Sequence, residues 1–342
     1  MKHIVAMKTW RYSLIFISLL FFLDGSILRG EDNVKSKKMT RQHFISVLNG
    51  SQKQDFKLGL ALGAGAAKGF AHIGVLRALE ETGLRIDLIA GSSMGSVIGG
   101  GYASGLSVDS LESVAQNSQL GDIFLLIDPV LPLQGFIDGN KIQEFLNILF
   151  LEQNIEDLKI PFSATTVDIL TGDLFVLNKG NLATAVRASS SIPIVFTPMS
   201  YENKVLVDGG MVDPVPVDVV RNMGAEFIIA VNVLTFPEGS FPGDSLHFLN
   251  ANDLSLSKSK WKLPRPENAY WMVEAPSVKE IAHETVMLSM SLIASNQLKI
   301  SEPDMVINVY TGLSAWNFLH AEIAITRGYD ETKKVLSRYT PK

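Results

Sequence analysis

The sequence of 342 residues contains no cysteine. Disulfide bridges, cysteine nucleophiles, zinc held by cysteine and lipids attached to cysteine are therefore excluded. The chain also has no excess of positive charge, because 30 Lys and Arg residues stand against 35 Asp and Glu residues, a formal net charge of −5. Since it lacks the basic surface that neutralises phosphate groups, no nucleic-acid partner is expected. Hydrophobic residues make up 46% of the chain, which suffices for a large folded core.

The first thirty residues differ in composition from the rest of the chain. Three basic residues precede an apolar run, residues 13–23, which ends at Asp24. A charged region followed by a short apolar one is typical of a secretory signal peptide, and the run is shorter than the roughly 17 residues of a transmembrane helix. The sequence therefore predicts export, to the periplasm or as a secreted protein, with residues 1–30 as a signal peptide or an uncleaved membrane anchor. Residues 31–54 are mostly polar and are predicted to be a linker.

From residue 55 onward, short apolar runs alternate with helical patterns, which indicates an α/β fold with a parallel sheet. The predicted strands are 57–62, 84–90, 162–167, 173–177, 204–207, 226–231 and 305–309. Helices are predicted at 69–82, 140–150, 278–295 and 314–328. The core is expected to span residues 55–235. Residues 236–280 are predicted to be a surface excursion, and residues 281–342 to complete the same domain with helices and a strand.

Residues 91–95, Gly-Ser-Ser-Met-Gly, fit the pattern Gly-x-Ser-x-Gly, which arises by chance in roughly one chain in ten of this length. The context strengthens the match, because a nucleophile elbow needs an entering strand, a leaving helix and small neighbours around a strained serine. Gly91 and Gly95 supply the small neighbours, and the following helix directs its positive end at the turn. Ser93 is therefore a candidate nucleophile. The alternative is a small-residue turn between a strand and a helix.

A serine nucleophile needs a base to accept its proton. The histidines that follow Ser93 are His247, in the predicted excursion, and His283 and His320, within helical patterns, so none is expected on a strand-end loop. Asp208 is the better candidate, because it ends a predicted strand where catalytic groups of parallel sheets collect, and two glycines follow it. The alternative for this Asp-Gly-Gly sequence is an ordinary turn.

A loop of small residues joins the first predicted strand to the first helix, and its successive N–H groups can bind an anion. It is not a P-loop, because Lys68 is followed by Gly69 rather than by Ser or Thr. A dinucleotide loop would require an acidic residue at the end of the second strand, where the chain has Ala90 and Gly91. An oxyanion hole beside Ser93 fits better. Its candidate residues are Gly63, Ala64, Gly65, Ala66, Lys68 and Gly69.

In this order, the small-residue loop, the turn around Ser93 and the sequence Asp208-Gly209-Gly210 resemble the patatin-like phospholipase family. Connecting pieces at residues 71–76, 188–193 and 213–216 also match. The resemblance covers residues 57–233, and more faintly the remainder of the chain.

The resemblance implies a three-layer α/β/α sandwich with a mainly parallel central sheet. It also implies a lipid acyl hydrolase with a Ser–Asp dyad, no triad histidine, no cofactor and no metal. Ser93 would attack the acyl carbonyl, and Asp208 would accept its proton. The N–H groups of Gly65 and Ala66 would hold the oxyanion.

The chain departs from the family pattern at Ala64 and Ala66, where glycine is frequent, and at Lys68, where arginine is frequent. Alanine keeps its N–H group but tolerates a positive φ angle poorly, and lysine lacks the planar fork of arginine. A lipid substrate also implies a membrane surface as partner. The apolar segment 123–137 is expected either to form a lid or membrane-dipping surface or to pack against the helix that begins at Asn140.

Two functions of other classes stay open at this point. One is a non-catalytic, membrane-tethered binding module that takes an anionic head group on the small-residue loop. The other is a dinucleotide-dependent reductase.

Overall fold

The computed structural model describes residues 41–117, 128, 137–236 and 278–339. The predicted N-terminal segment, residues 1–30, lies outside the described residues, as do most of the apolar segment 123–137 and most of the excursion 236–280. Among the helices of the described ranges, none combines the length and the apolarity that crossing a bilayer requires.

Strands and helices alternate along the described chain. The strands are β1 (Leu58–Leu62), β2 (Leu88–Ser92), β3 (Phe162–Asp168), β4 (Leu174–Leu177), β5 (Met199–Tyr201), β6 (Lys204–Asp208), β7 (Phe227–Asn232) and β8 (Met305–Asn308). The described α-helices are α1 (Arg41–Leu48), α2 (Ala71–Glu80), α3 (Met94–Ser104), α4 (Val108–Asn117), α5 (Asn140–Leu149), α6 (Leu182–Ser189), α7 (Val217–Asn222), α8 (Val278–Ser301) and α9 (Ala321–Leu336).

Every predicted strand has a counterpart, although some boundaries differ. β2 begins at Leu88 instead of residue 84, because the Asp87 carboxylate accepts the N–H of Leu58 at 2.9 Å and closes an irregular stretch before the strand. β5 was not predicted, since three residues are too short for a periodicity. The last helix begins at Ala321 rather than at residue 314, after a 3₁₀ turn.

The strands form one sheet in the order β5-β6-β3-β2-β1-β7-β8, and β4 also pairs with β3. The strands from β8 to β3 run parallel, whereas β4, β5 and β6 add antiparallel pairs on the far side. The register places Ser92 beside Thr165 of β3, and the next residue of β3, Thr166, beside Asp208. The ends of β2 and β6 therefore meet at one edge of the sheet, where the loop after β1 also lies.

Both faces of the sheet are covered, which confirms the α/β prediction and the three layers. Alternate residues of β1, such as Leu60 and Leu62, are buried in a large cluster with α2, α3, α6 and α9. The intervening Ala61 is buried on the opposite face, with valines of α7 and with Ala294 of α8. The strands are buried almost throughout, as expected for parallel strands between helices.

The predicted linker 31–54 is wrong for residues 41–48, which form α1. Phe44 of this helix is fully buried and stacks on Phe227 of β7, with ring centroids 4.2 Å apart. Val47 is buried with it. The helix is short and mostly polar, so its few apolar residues did not form a readable period in the sequence.

Candidate active site

Ser93 occupies the turn between β2 and α3. Its backbone has φ 53° and ψ −123°, a strained conformation for a residue with a side chain. A Cβ atom at Gly95 would clash with the backbone carbonyl of Leu62, and one at Gly91 would clash with the backbone of α3. Glycine at position 95 lets the turn approach β1 closely, and glycine at position 91 lets the first turn of α3 pack against the end of β2. The turn thus has the local geometry of the nucleophile elbow predicted from the sequence.

The nucleophile candidate is held inside the fold. Ser93 is only 3% exposed, and its backbone N–H donates to the Oγ of Ser189 at 3.0 Å. It also stands at the N-terminal end of α3, where the helix dipole favours negative charge. A negative charge that develops near Ser93 is therefore stabilised by the fold itself.

Asp208 ends β6 and is 1% exposed. Its Oδ1 accepts the N–H of Gly210 at 2.8 Å, and its own N–H donates to the backbone carbonyl of Ser191 at 3.0 Å. Within the described structure, Oδ2 has no fully formed hydrogen bond. One carboxylate oxygen is thus fixed by the backbone, and the other is left open beside Ser93.

Burial raises the pKa of Asp208 to about 6, although hydrogen bonding from Ser93 and from the Gly210 N–H acts in the opposite direction. The Ser93 hydroxyl therefore lies near enough to the carboxylate to lower its pKa, although no donor within the described residues forms a hydrogen bond to Oδ2. Such contacts commonly tighten only when substrate is bound. A pKa near 6 makes this carboxylate a far better base at neutral pH than an exposed aspartate.

Two of the six candidate oxyanion residues have free donors. The N–H groups of Gly63, Ala64 and Lys68 already donate to backbone carbonyls, at 3.0, 2.8 and 3.1 Å. Those of Gly65 and Ala66 have no acceptor in the described residues. The N–H groups of Gly65 and Ala66 are therefore the candidate donors to a substrate oxygen, while those of Gly63, Ala64 and Lys68 hold the loop in place.

The remaining residues of the loop shape it. Ala66 has φ 47°, the strained region that its methyl group disfavours, so the departure from glycine is tolerated rather than avoided. Gly69 packs against Met94, and a Cβ atom there would clash with that side chain. Lys68 is half-buried, and burial lowers its pKa while the charge of Glu284 on α8 raises it.

The described histidines do not act on Ser93. His72 of α2 is fully buried, and its Nε2 bonds to the Gly63 carbonyl at 2.8 Å, so it supports the loop from behind. Burial lowers the pKa of His72 to about 4, which keeps the ring neutral. His320 is exposed near Glu322, whereas the side chain of His283 and all of His247 lie outside the described residues. The role of His72 was not predicted, because nothing in its spacing links it to Gly63.

A second carboxyl group with a raised pKa lies close by in the chain. Burial first, and then the charge of Asp218, raises the pKa of Asp213 to about 7. Its backbone N–H donates to the Gly209 carbonyl at 2.9 Å. No group of three or more metal-binding side chains is found in the described ranges.

Comparisons with known proteins place these features in a family. Residues 60–221 match the model described as Patatin-like phospholipase. An uncharacterized NTE family protein of Mycobacterium tuberculosis (strain H37Rv) is 38% identical over 177 residues, which are 52% of this chain and 49% of that protein. The chain therefore spans about half the length of this relative. The resemblance predicted from the sequence is confirmed.

More distant relatives are longer proteins. Human patatin-like phospholipase domain-containing protein 6 is 34% identical over 196 residues, 55% of this chain and 14% of that protein. Lysophospholipase NTE1 of Cryptococcus neoformans is 36% identical over 182 residues, 52% of this chain and 11% of its own length. The crystal structure of VipD from Legionella pneumophila aligns with 84% of this chain and 67% of its own, with a TM-score of 0.42 and 13% identity.

Proposed function

We infer, from the patatin-like phospholipase domain in residues 60–221, that this protein is a serine hydrolase that cleaves carboxylic esters of lipids. The observation that carries the proposal is the pairing at one sheet edge of a strained, buried serine with a buried carboxylate whose Oδ2 is open. Neither feature benefits the stability of the fold. Together they fit a nucleophile and its base.

The reaction follows from the positions of four groups. Ser93 Oγ attacks the acyl carbonyl carbon, and Asp208 takes the proton that Oγ releases. The free N–H groups of Gly65 and Ala66 hold the oxyanion that forms. One such donor typically lowers the activation free energy by about 2.7–4 kcal/mol. The leaving alcohol receives the proton from Asp208. A water molecule, deprotonated by the same carboxylate, then releases the fatty acid and restores Ser93.

The apolar side chains packed beside the loop support a lipid acyl group as the substrate. Ala64 and Ala66 belong to a buried apolar cluster that also contains Ile192, Met287 and Met290. The Met290 methyl group lies against Gly210, the neighbour of Asp208 in the sheet edge, because a Cβ atom at Gly210 would clash with it. Burial of apolar chain against such side chains is favourable by about 25 cal/mol per Å². We propose phospholipids or lysophospholipids as the substrate class, with a membrane surface as the place where they are met.

The test of the chemistry is covalent labelling of the full 342-residue chain, purified in detergent, with a fluorophosphonate probe. The wild type should label, Ser93→Ala should not, and Asp208→Asn should label at least a hundredfold more slowly. Ser92→Ala is the matched control, because Ser92 is the buried neighbour whose Oγ has no hydrogen-bond partner in the part of the chain that the structure describes. It should label like the wild type. A folded wild type that does not label would contradict the proposal and favour a lipid-binding role instead.

The substrate class is tested separately by fatty-acid release. Esters of p-nitrophenol with acyl chains of two to sixteen carbons, and vesicles containing lysophosphatidylcholine, are offered to the wild type and to Ser93→Ala. Preference for long chains and for lysophospholipid supports the proposal. Hydrolysis of the acetyl ester alone, with no release from lysophospholipid, would retain the serine hydrolase and overturn the lipid substrate.

We also propose that the protein is exported or anchored in a membrane by its N-terminal segment. The support is the basic and then apolar pattern of residues 1–30. Expression of the full chain in a bacterium, followed by fractionation and mass determination of its N-terminus, tests this. A protein that retains residue 1 and stays in the cytosolic fraction would contradict it.

A further inference from the structure

The C-terminal end of α6 contacts both halves of the proposed dyad. This region overlaps the connecting piece 188–193, which matched the family pattern but had no role in the reaction above. Ser189 and Ser191 are fully buried, and Arg187 is 2% exposed. We call Arg187, Ser189 and Ser191 the α6 clamp. The intervening Ser190 is not part of it, because its Oγ finds no hydrogen-bond partner among the described residues.

Ser189 fixes the backbone of the nucleophile. Its Oγ accepts the N–H of Ser93 at 3.0 Å across 96 positions of sequence. Ser93 has a positive φ angle, so its turn tends to relax unless surrounding bonds hold it. The bond also removes the Ser93 N–H from the set of oxyanion donors. Loss of the Ser189 hydroxyl would leave a buried N–H unpaired in the most strained turn of the site.

Ser191 fixes the backbone of the base. Its carbonyl accepts the N–H of Asp208 at 3.0 Å, at the last pair of β6 with β3. Its hydroxyl accepts a hydrogen bond from Arg187 Nη1 at 2.7 Å and donates one to the Arg187 carbonyl at 3.0 Å. The position of Asp208 therefore depends on Ser191, and that of Ser191 on Arg187.

Arg187 ties this arrangement to the loops around it. Its guanidinium donates to the carbonyls of Gly139, Asp138 and Thr197 at 3.2, 2.6 and 2.9 Å. It lies over the ring of Phe196, with 5.2 Å from Cζ to the ring centroid. In the described structure no carboxylate forms a salt bridge with Arg187, and its guanidinium instead donates to backbone carbonyls and to Ser191 Oγ. Such a planar fork cannot be replaced by a lysine ammonium.

We propose that the α6 clamp is a positioning unit for the reaction: Ser189 holds the backbone of Ser93, and Arg187, through Ser191, holds that of Asp208. The clamp sets the separation between nucleophile and base, while it touches neither the acyl group nor the leaving alcohol. The proposal rests on the proposed function, because it assigns positioning residues to that reaction. Displacement of a reacting group by about 1 Å can lower a rate about a hundredfold.

The experiment compares Ser189→Ala with Ser190→Ala in the full chain. The two variants lose the same atom from adjacent residues, but only the first loses a hydrogen bond. For hydrolysis of a p-nitrophenyl ester, Ser189→Ala should lower kcat at least tenfold with KM within twofold of the wild type. Ser190→Ala should change both by less than twofold. Hydrogen exchange of the Ser93 amide, measured on peptides that cover residues 91–95, should be at least tenfold faster in Ser189→Ala only.

A second pair of variants tests the part of the clamp that holds Asp208, namely Arg187 and Ser191. Arg187→Lys keeps the charge and loses the fork, and Ser191→Ala keeps the carbonyl that holds Asp208 but loses the hydroxyl that Arg187 holds. Both should lower kcat more than they change KM. If the wild type is active and Ser189→Ala has the same kcat as Ser190→Ala, the positioning role of the clamp is refuted. If the wild type hydrolyses no ester, the proposed function fails instead, and equal exchange at Ser93 in the two variants then overturns the clamp as well.

Discussion

Replacement of Asp208 by asparagine should stabilise the protein while it abolishes rapid hydrolysis. The carboxyl group is buried, and its pKa is raised from 3.8 to about 6. At about 1.4 kcal/mol per pKa unit, this difference corresponds to roughly 3 kcal/mol of destabilisation by the ionised form. Asparagine keeps an oxygen for the Gly210 N–H and carries no charge. The folded state should therefore gain about 1–3 kcal/mol at pH 8 from the change, with the larger value as the limit.

The size of this stabilisation depends on pH. Native Asp208 holds its proton to a higher pH than the unfolded chain does, so the native state loses stability as the pH rises from about 4 to about 6. Above that range the penalty is complete, and below it the penalty is absent. The gain from Asp208→Asn should thus be present at pH 8 and close to zero at pH 4.

Thermal unfolding of the full chain at pH 4 and pH 8 measures this difference. A gain of 1 kcal/mol corresponds to a rise in Tm of about 2–4 °C for a chain of 150–250 residues, and somewhat less for this one. Asp330→Asn, a change at an exposed aspartate of α9, is the control and should alter Tm equally at both pH values. An Asp208→Asn protein that is less stable than the wild type at pH 8, or equally shifted at both pH values, would refute the reasoning.

Three further predictions concern the site and its turn. Since Asp208 must be ionised to accept a proton, kcat/KM for a neutral ester should fall about tenfold per pH unit below about pH 6. Asp213→Asn should leave this acidic decline unchanged. A pH profile that is flat down to pH 4 would contradict the assignment of Asp208 as the base. Ala66→Gly should raise stability by about 1 kcal/mol in urea unfolding, because it removes a methyl group from a residue with φ 47°, and should retain labelling at Ser93; a destabilised variant would contradict the strain. Gly95→Ala should destabilise the protein by at least about 2 kcal/mol, because the new Cβ atom would clash with the Leu62 carbonyl. An unchanged unfolding midpoint would show that the turn does not pack as described.

The sheet and the candidate dyad were predictable because their signals are local. The apolar runs that form β1, β2 and β7 are buried throughout and end at glycine or at polar residues, so their positions are readable within a few residues. Ser93 follows directly on β2, and Asp208 is the last residue of β6, so the strand ends marked both as candidates. Because β6 runs antiparallel to β3, the approach of Asp208 to Ser93 depends on the register of that pair, which no local pattern specifies. α1 was missed because its burial depends on Phe227, far away in the chain.

The details of the site depend on contacts that no short pattern contains. Carbonyl groups of distant segments, including those of Val231 and Pro214, accept some N–H groups of the loop and leave others free. The link from Ser189 to Ser93 joins residues 96 positions apart, and nothing in either local sequence specifies it. The sequence therefore predicts the reacting groups, whereas the groups that orient them emerge only from tertiary register.

Several features that are unfavourable for the stability of the fold lie together at one edge of the sheet. Ser93 and Ala66 have positive φ angles, and Asp208 is a buried acid. Among the residues that the structure describes, one oxygen of that acid and two loop N–H groups have no hydrogen-bond partner. Each is unfavourable by itself, and a chain selected for stability alone would remove it by a single substitution. Under the proposed function, they complete one another when an ester carbonyl is bound. The ester oxygen would accept hydrogen bonds from the free donors, and the open carboxylate oxygen would take the proton of the strained serine.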